Sequence, residues 1–485
     1  MTNTPPLLKI VPGIAASPAL VSRDAGDSLV LQIVRAIQGR IDDKLLRTGA
    51  RLPSIRQFAQ QQGVSRFTVV EAYDRLVALG CLESRRGAGF FVRDRSCATA
   101  QHAAPREPAV APIDVAWLVR NMLRDHPAHK MPGAGLLPNT WLDAELVAQG
   151  LRAVSRQNQS LLQYGTPQGF LPLRQQLQHK LAELEIAARP EQIIMSCGVT
   201  QGLDLVARVL VQPGDTVFVD DPAWFLMFGS FATLGARVIG IPRLADGPDI
   251  AKLAELAALH RPRLYVINSV LHNPTSTSLS AAKAFQVLQL AGQFDFTIVE
   301  DDIYCDMHPG SSVQPAMRIA ALDQLQRVIY LGGFSKTLAA NLRVGFIAAP
   351  EALVERLSDQ KMLTTLTSSE IGERVVYKVL SEGHYRKHVE RLRSKLDSVR
   401  DKTLRQLERV GMKLDIHSPA GMFVWADAGR DTTRLAQTAL DHGYLLAPGS
   451  LFSPRQLPST RTRINVACMS DPGLLRFLER ALNES

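Results

Sequence analysis

The stretch RVIYLGGFSKTLAANLRVGFIAAP (327–350) decides the fold. Two short apolar runs, 327–333 and 343–350, have the length and composition of buried strands. The turn between them holds Ser335 and Lys336, and Arg343 follows seven residues after the lysine. A lone lysine on a turn is ordinarily a solvated amine. Its meaning depends on what stands around it, so the neighbouring runs come next.

Similar runs occur at QIIMSCG (192–198), TVFVDDP (216–222), RLYVINS (263–269) and FTIVEDD (296–302), with helix-like segments between most of them. Strands alternating with helices predict an α/β domain around a largely parallel sheet. The tail from about 385 opens on a charged helical stretch and reads as a smaller α+β lobe. In open α/β sheets ligands bind beyond the carboxyl ends of the strands. Those ends carry GVTQG, DDPAW, LHNPT, DDIY and GFSK. Together they offer what a pyridine aldehyde phosphate needs. Lys336 can form the Schiff base with its aldehyde. Asp301 can keep the ring nitrogen protonated. Asn273 and Tyr304 can bond its phenolic oxygen, and Trp224 can stack on the ring. Val199 and Thr200, opening a helix after Gly198, can offer N–H groups to a phosphate. Arg343 can add a planar bidentate charge there, and Arg463, in TRINVA, can grip a substrate carboxylate.

The other end of the chain reads differently. In DSLVLQIVRAIQGRI (27–41), Leu29, Ile33, Ile37 and Ile41 form a helical stripe, capped by Asp27 or Ser28. LPSIRQFAQQQG (52–63) and VSRFTVVEAYDRLVALG (64–80) read as two more helices. Ser54 and Ser65 are their N-caps, and Gly63 and Gly80 their stops. Only Val64 separates Gly63 from Ser65, so the pair makes a helix-turn-helix. CLESRRGAGFFV (81–92) follows as a hairpin or wing. Residues 1–100 hold 14 Lys+Arg against 8 Asp+Glu, a net +6 of the chain's +9. A basic block on such a motif predicts a DNA-binding unit over 27–93. Arg56, Ser65, Arg66 and Thr68 would meet the duplex, with Arg86 and Gly87 reaching it from the wing. The Ala- and Pro-rich stretch 94–113 reads as a linker to a second domain, 114–485, whose small lobe starts at about 385.

The totals bound the rest. A chain of 485 residues, 46% hydrophobic and 21% charged, is a two- or three-domain globular protein. No apolar run is long enough to span a membrane, and the N-terminus does not read as a secretory signal. Five scattered cysteines without metal spacing imply a cytoplasmic chain with free thiols and no metal.

Residues 27–92 resemble the winged helix of the GntR family, through LPS-x-R and VSR-x-TV. The segment from about 130 to 485 is similar to the fold-type I aminotransferases that use pyridoxal 5′-phosphate (PLP). YGTPQGFLPLRQQL, GVTQGLDL, DDPAW, HNPT, EDDIY, SKTLAANLRVGF and RINVA carry that similarity in family order. It implies a seven-stranded, mostly parallel sheet, a small lobe, and a homodimer with sites at the interface. It assigns Lys336 to the internal aldimine, Asp301 to the ring nitrogen, and Asn273 and Tyr304 to the phenolic oxygen. Trp224 stacks, and Val199, Thr200, Ser335 and Arg343 surround the phosphate. Tyr164 would reach the neighbouring subunit's phosphate, and Arg463 an α-carboxylate. Two positions depart from the pattern. Gly333 stands where many members carry Ser or Thr, which predicts a cofactor held less tightly by ~1 kcal/mol. Ser276 stands where glycine is usual.

The two-part chain resembles the MocR subfamily of GntR regulators. The expectation is a PLP-dependent regulator of operator DNA that senses PLP or an amino-acid-like effector through aldimine exchange at Lys336. The alternative is an active aminotransferase carrying a DNA-binding domain, with a cofactor-free scaffold as a third reading. A regulator with residual transamination is also compatible with the residues.

Overall fold

The computed structural model describes residues 27–43, 45–85, 88–93, 114–124, 126–156, 162–310, 316–414 and 418–483. The chain divides into two compact units, Met1–Val110 and Ala111–Ser485. The expected linker, 94–113, lies outside the described residues, as do Arg86 and Gly87.

The first unit holds helices α1 (Leu29–Asp42), α2 (Ile55–Gln62) and α3 (Arg66–Ala78), then strands β1 (Leu82–Arg85) and β2 (Gly89–Val92). Ser28, not Asp27, caps α1. Ser54 closes a reciprocal capping box with Gln57, and Gly63 ends α2 in the left-handed region at φ 64°. Ser65 Oγ accepts from Thr68 N at 3.0 Å and starts α3 two residues later. Two serine caps around one left-handed glycine are what bend the chain so sharply. Ile33, Ile37, Phe58, Val69, Ala72, Tyr73 and Leu76 form the core, whereas Leu29 and Ile41 are only half-buried. Tyr73 meets Phe58 and Phe90 edge-on, at ring distances of 5.6 and 5.0 Å. β1 and β2 pair antiparallel, which makes the wing.

In the second unit the strands are β3 (Ile193–Ser196), β4 (Thr216–Asp221), β5 (Arg237–Leu244), β6 (Gly247–Pro248), β7 (Leu264–Ile267), β8 (Thr297–Asp301), β9 (Val328–Gly333) and β10 (Gly345–Ala348). They form one sheet in the order β3-β10-β9-β8-β7-β4-β5-β6. β5, β4, β7, β8 and β9 run parallel, while β10 is antiparallel to both β9 and β3. The seven-stranded expectation is therefore corrected to eight. The extra strand is the two-residue β6, folded back on β5 with Gly247 at φ 135°. Strand order reverses between β7 and β4, and the crevice at such a reversal is where ligands bind. The small lobe is built on the helix His384–Arg409 and the antiparallel strands β11 (Phe423–Asp427), β12 (Ala447–Pro448) and β13 (Arg461–Asn465), ordered β11-β13-β12. Its apolar face joins the main core through Phe423, Trp425, Phe452 and Ile464. No described helix is long and apolar enough to cross a membrane.

Candidate cofactor site and recognition helix

A cavity with an empty volume of about 720 Å³, its open mouth included, lies at the carboxyl ends of the parallel strands. Val199, Thr200, Trp224, Asn273, Asp301, Tyr304, Ser335, Lys336 and Arg343 all line it. Nine of the expected cofactor residues, drawn from five turns, thus meet in one place.

At one end is an anion cradle. The helix Val199–Leu210 begins there with Gly198 at φ 83°. A Cβ on Gly198 would lie 2.9 Å from Arg343 Nη2, so the turn accommodates this arginine only without a side chain. Arg343 itself adopts φ 52°, a conformation unfavourable for a side-chain-bearing residue. Its Nη2 donates to Cys197 O at 2.7 Å, which fixes the guanidinium beside Thr200 and Ser335. At the other end stands Asp301. Its Oδ1 accepts from Ile303 N at 3.1 Å, and no ion-pair partner lies against it among the described residues. Burial raises its carboxyl to about 7, against the pull of that N–H and of Lys336. A protonated pyridine nitrogen would supply the missing positive charge.

Asn273 and Tyr304 stand together, Nδ2 donating to Oη at 3.2 Å. Asn273 is held on its other side as well, since Asn268 Oδ1 accepts its backbone N–H at 2.8 Å. Lys336 Nζ donates to Gly135 O at 2.9 Å. Burial lowers this amine to about 8, and Arg463 and Arg343 push the same way against Asp301. The site therefore fits the cofactor at each point. With PLP bound, Arg343, Thr200 and the first N–H groups of the helix would hold the phosphate, and Asp301 would meet the ring nitrogen. Asn273 and Tyr304 would bond the phenolic oxygen, Trp224 would cover a ring face, and Lys336 would meet the aldehyde.

The lowered amine gives a pH prediction. Only the neutral amine attacks an aldehyde, and with its midpoint near 8 about one lysine in ten is neutral at pH 7. The rate at which the apoprotein attaches PLP should rise about tenfold per pH unit up to about 8 and then level off. Stopped-flow absorbance checks this. A rate still climbing at pH 10, as for a solvated lysine, would contradict it.

Arg463 is not on the cavity wall. It is 1% exposed and stands behind Asn273, with Nη1 donating to Asn273 Oδ1 at 2.9 Å and Nη2 to Gly133 O at 2.6 Å. Its guanidinium lies 4.6 Å from the ring centre of Phe423 and 4.9 Å from that of Phe452. Its Nε is buried without a hydrogen-bond partner. Tyr164 is also elsewhere. It is 81% exposed and flanks a second concavity with Gln163, Ser368, Glu370 and Arg374.

The two departures acquire structural reasons. A Cβ at Gly333 would lie 3.1 Å from Ile303 Cδ1 and 3.3 Å from Gly345 Cα, so a side chain there would need its neighbours to give by a few tenths of an ångström. Ser276 sits at φ 57°, where glycine is favoured. Its hydroxyl donates to Phe423 O at 3.0 Å and accepts from Phe423 N at 3.2 Å, which fastens the Asn273 loop to β11 of the small lobe.

Sequence reasoning missed a buried network at the cavity wall. Asp220 accepts from Arg243 Nη1 at 2.7 Å and from Tyr265 Oη at 2.6 Å, and His272 Nε2 lies 3.6 Å from it. Burial holds His272 well below its ordinary value, so it is neutral at pH 7. The signal was available: a single arginine in VIGIPRL, on an otherwise apolar run, needs a buried acceptor. Among the described residues no group of His, Cys, Asp and Glu is arranged to hold a metal ion.

On the first unit, Arg56, Ser65 and Arg66 are exposed and Thr68 is half-buried. Ser65 Oγ is partly spent, capping Thr68 N and lying 2.8 Å from Thr68 Oγ1. Arg66 is the charged group at the open end of α3.

Comparison with known proteins agrees with both halves. Residues 134–480 match the family described as aminotransferase class I and II, and residues 29–92 match the bacterial regulatory proteins of the gntR family. The uncharacterized HTH-type transcriptional regulator YdfD of Bacillus subtilis is 29% identical over 91% of this chain and 93% of its own length. The probable rhizopine catabolism regulatory protein MocR of Rhizobium meliloti is 29% identical over 77% of this chain and 76% of its own. Among solved structures, the kynurenine aminotransferase of Pyrococcus horikoshii, crystallised with PMP, superposes with a TM-score of 0.69 at 26% identity, over 76% of this chain and 93% of that one. The chain belongs to the class I and II aminotransferase family, whose cofactor is PLP, and carries at its N-terminal end a helix-turn-helix unit of the gntR family.

Proposed function

We propose that the protein is a cytoplasmic transcription regulator that binds operator DNA through α3 and the wing, and that reads an amino-acid-like compound in its cofactor site. One observation carries the proposal. A cavity lined by nine residues suited to PLP shares a chain with a helix-turn-helix whose Arg56, Ser65 and Arg66 are exposed, and a relative named as a transcriptional regulator aligns over 91% of that chain, through both units. When bound, PLP supplies an electron-withdrawing ring and an aldehyde that exchanges one amine for another. The chain's own part would be to offer the Lys336 amine and hold Asp301 against the ring nitrogen, with Arg463, behind Asn273, as the cation that a carboxylate would have to reach. A compound changes DNA affinity only as far as it binds the two functional states with different strength.

The proposal includes a homodimer. Leu162 and Tyr164 are largely exposed, and Tyr164 borders the second concavity with Glu370 and Arg374 of the helix Glu370–Ser381, a surface a second copy would cover. The arrangement also supports a second reading, a working aminotransferase, because an amine lowered to about 8 is suited to moving a proton near neutral pH. Turnover decides between them. With an amino donor and a keto acceptor, a regulator should run far below the ~1–10³ s⁻¹ of ordinary enzymes.

The DNA arm has its own expected result. Arg66→Ala should weaken operator binding by ~1–3 kcal/mol if it reads a guanine. If it meets a phosphate, the loss should be uniform across sequences and the salt slope should fall by about one. Fluorescence anisotropy over a salt series checks both. Unchanged, salt-insensitive binding would remove the helix-turn-helix from the function.

A further inference from the structure

We propose that Phe67 reads a thymine, by packing its ring on the C5-methyl group in the major groove. The inference rests on the DNA-binding reading above and names what one position of the operator must be. Phe67 is the second residue of α3 and is 75% exposed. Val70, three residues on and on the same face, is 37% exposed. A single exposed apolar residue needs no explanation. Here, however, the apolar residues of α3 divide between two faces. Val69, Ala72, Tyr73 and Leu76 are buried in the core of the unit. Phe67 and Val70 lie outside that core, on the side that carries Arg66.

The start of a recognition helix is the part that meets base edges. Side chains on a helix lean toward its N-terminus, so the Phe67 ring extends over the first turn, next to Ser65 and Arg66. Base edges in the major groove are donors and acceptors, apart from the methyl group of thymine. A phenyl ring placed there without a polar atom can gain only from that methyl. Every other base would leave it against groups that lose water without a partner.

The test uses the full chain. Duplexes are selected from a random-core library, and each invariant thymine is replaced singly by deoxyuridine, which lacks only the methyl. One thymine per half-site should be invariant, and its replacement should lower the wild-type affinity about fourfold. Phe67→Ala should bind thymine and uracil duplexes alike at that position, while keeping its salt dependence and the other base preferences. Wild-type binding that is indifferent to uracil everywhere would overturn the proposal. That result is also expected if Phe67 is covered by the second unit or another copy. Retention of the thymine preference in Phe67→Ala would overturn it too. If no duplex is enriched and binding ignores salt, the DNA-binding reading fails first, and this inference with it.

Discussion

The Lys336→Ala protein, incubated with PLP and reduced with borohydride, will carry no covalent pyridoxyl group, whereas the native chain will carry one at this site. The visible absorbance of the native protein will be missing, and dialysis will strip the cofactor from the variant. The loss is complete rather than partial because the reaction needs an uncharged amine inside the pocket. Among the described lysines, Lys336 alone lines the cavity. Lys361 is also buried, but its Nζ is committed to Met195 O at 2.8 Å and Ser368 Oγ at 2.9 Å. Labelling of Lys361 or of surface lysines to the native extent would show that the cavity is not the site. Removing Lys336 leaves Arg343, Asp301 and Trp224 in place, so weak non-covalent binding should survive, as a saturable change in Trp224 fluorescence.

The second large effect belongs to Arg463. Among the described residues its buried guanidinium meets only neutral acceptors, Asn273 Oδ1 and Gly133 O, and burial lowers it to about 10. A cation kept out of water without a counter-charge is costly, and an entering carboxylate would supply that charge. Arg463→Met keeps much of the volume between Phe423 and Phe452 but removes the charge. Compounds bearing a carboxylate should then bind about 10- to 100-fold more weakly, the value of a charge-assisted hydrogen bond or two. Simple amines should bind as before. Titration of the cofactor absorbance with an amino acid and with its decarboxylated amine measures both. Equal losses for the two ligands would mean that Arg463 only supports Asn273.

Much of this was legible from local chemistry. One residue between a left-handed glycine and a capping serine set the helix-turn-helix. The polar groups after successive apolar runs marked the pocket, because parallel strands bring those turns to one edge. What escaped depends on distant partners. Strand β5 lies near the sheet edge and is only partly buried, and Pro242 and Arg243 interrupt its apolar run, so it does not stand out as its neighbours do. The bond from Lys336 to Gly135 spans 201 residues and leaves no local trace. The sequence offered Arg463 for a carboxylate, a role that remains a proposal, and its aromatic enclosure and its bond to Asn273 required the packed lobe. The role of Ser276 could be seen only as an oddity until Phe423 stood opposite it.

That serine also bears on time. If release of an enclosed ligand requires the small lobe to lift from the sheet, the Asn273 loop resists it. Here lifting must break the two hydrogen bonds between Ser276 and Phe423, together with the 2.5 Å bond from Ser418 Oγ to Ser276 O. The lifetime of a bound compound is then governed by how often this fastening opens, not only by the contacts inside the pocket. A glycine at 276 would have neither the strained backbone nor the clasp. The chain accepts an unfavourable φ angle and gains, through it, a fastening that would slow the exit of whatever the pocket encloses.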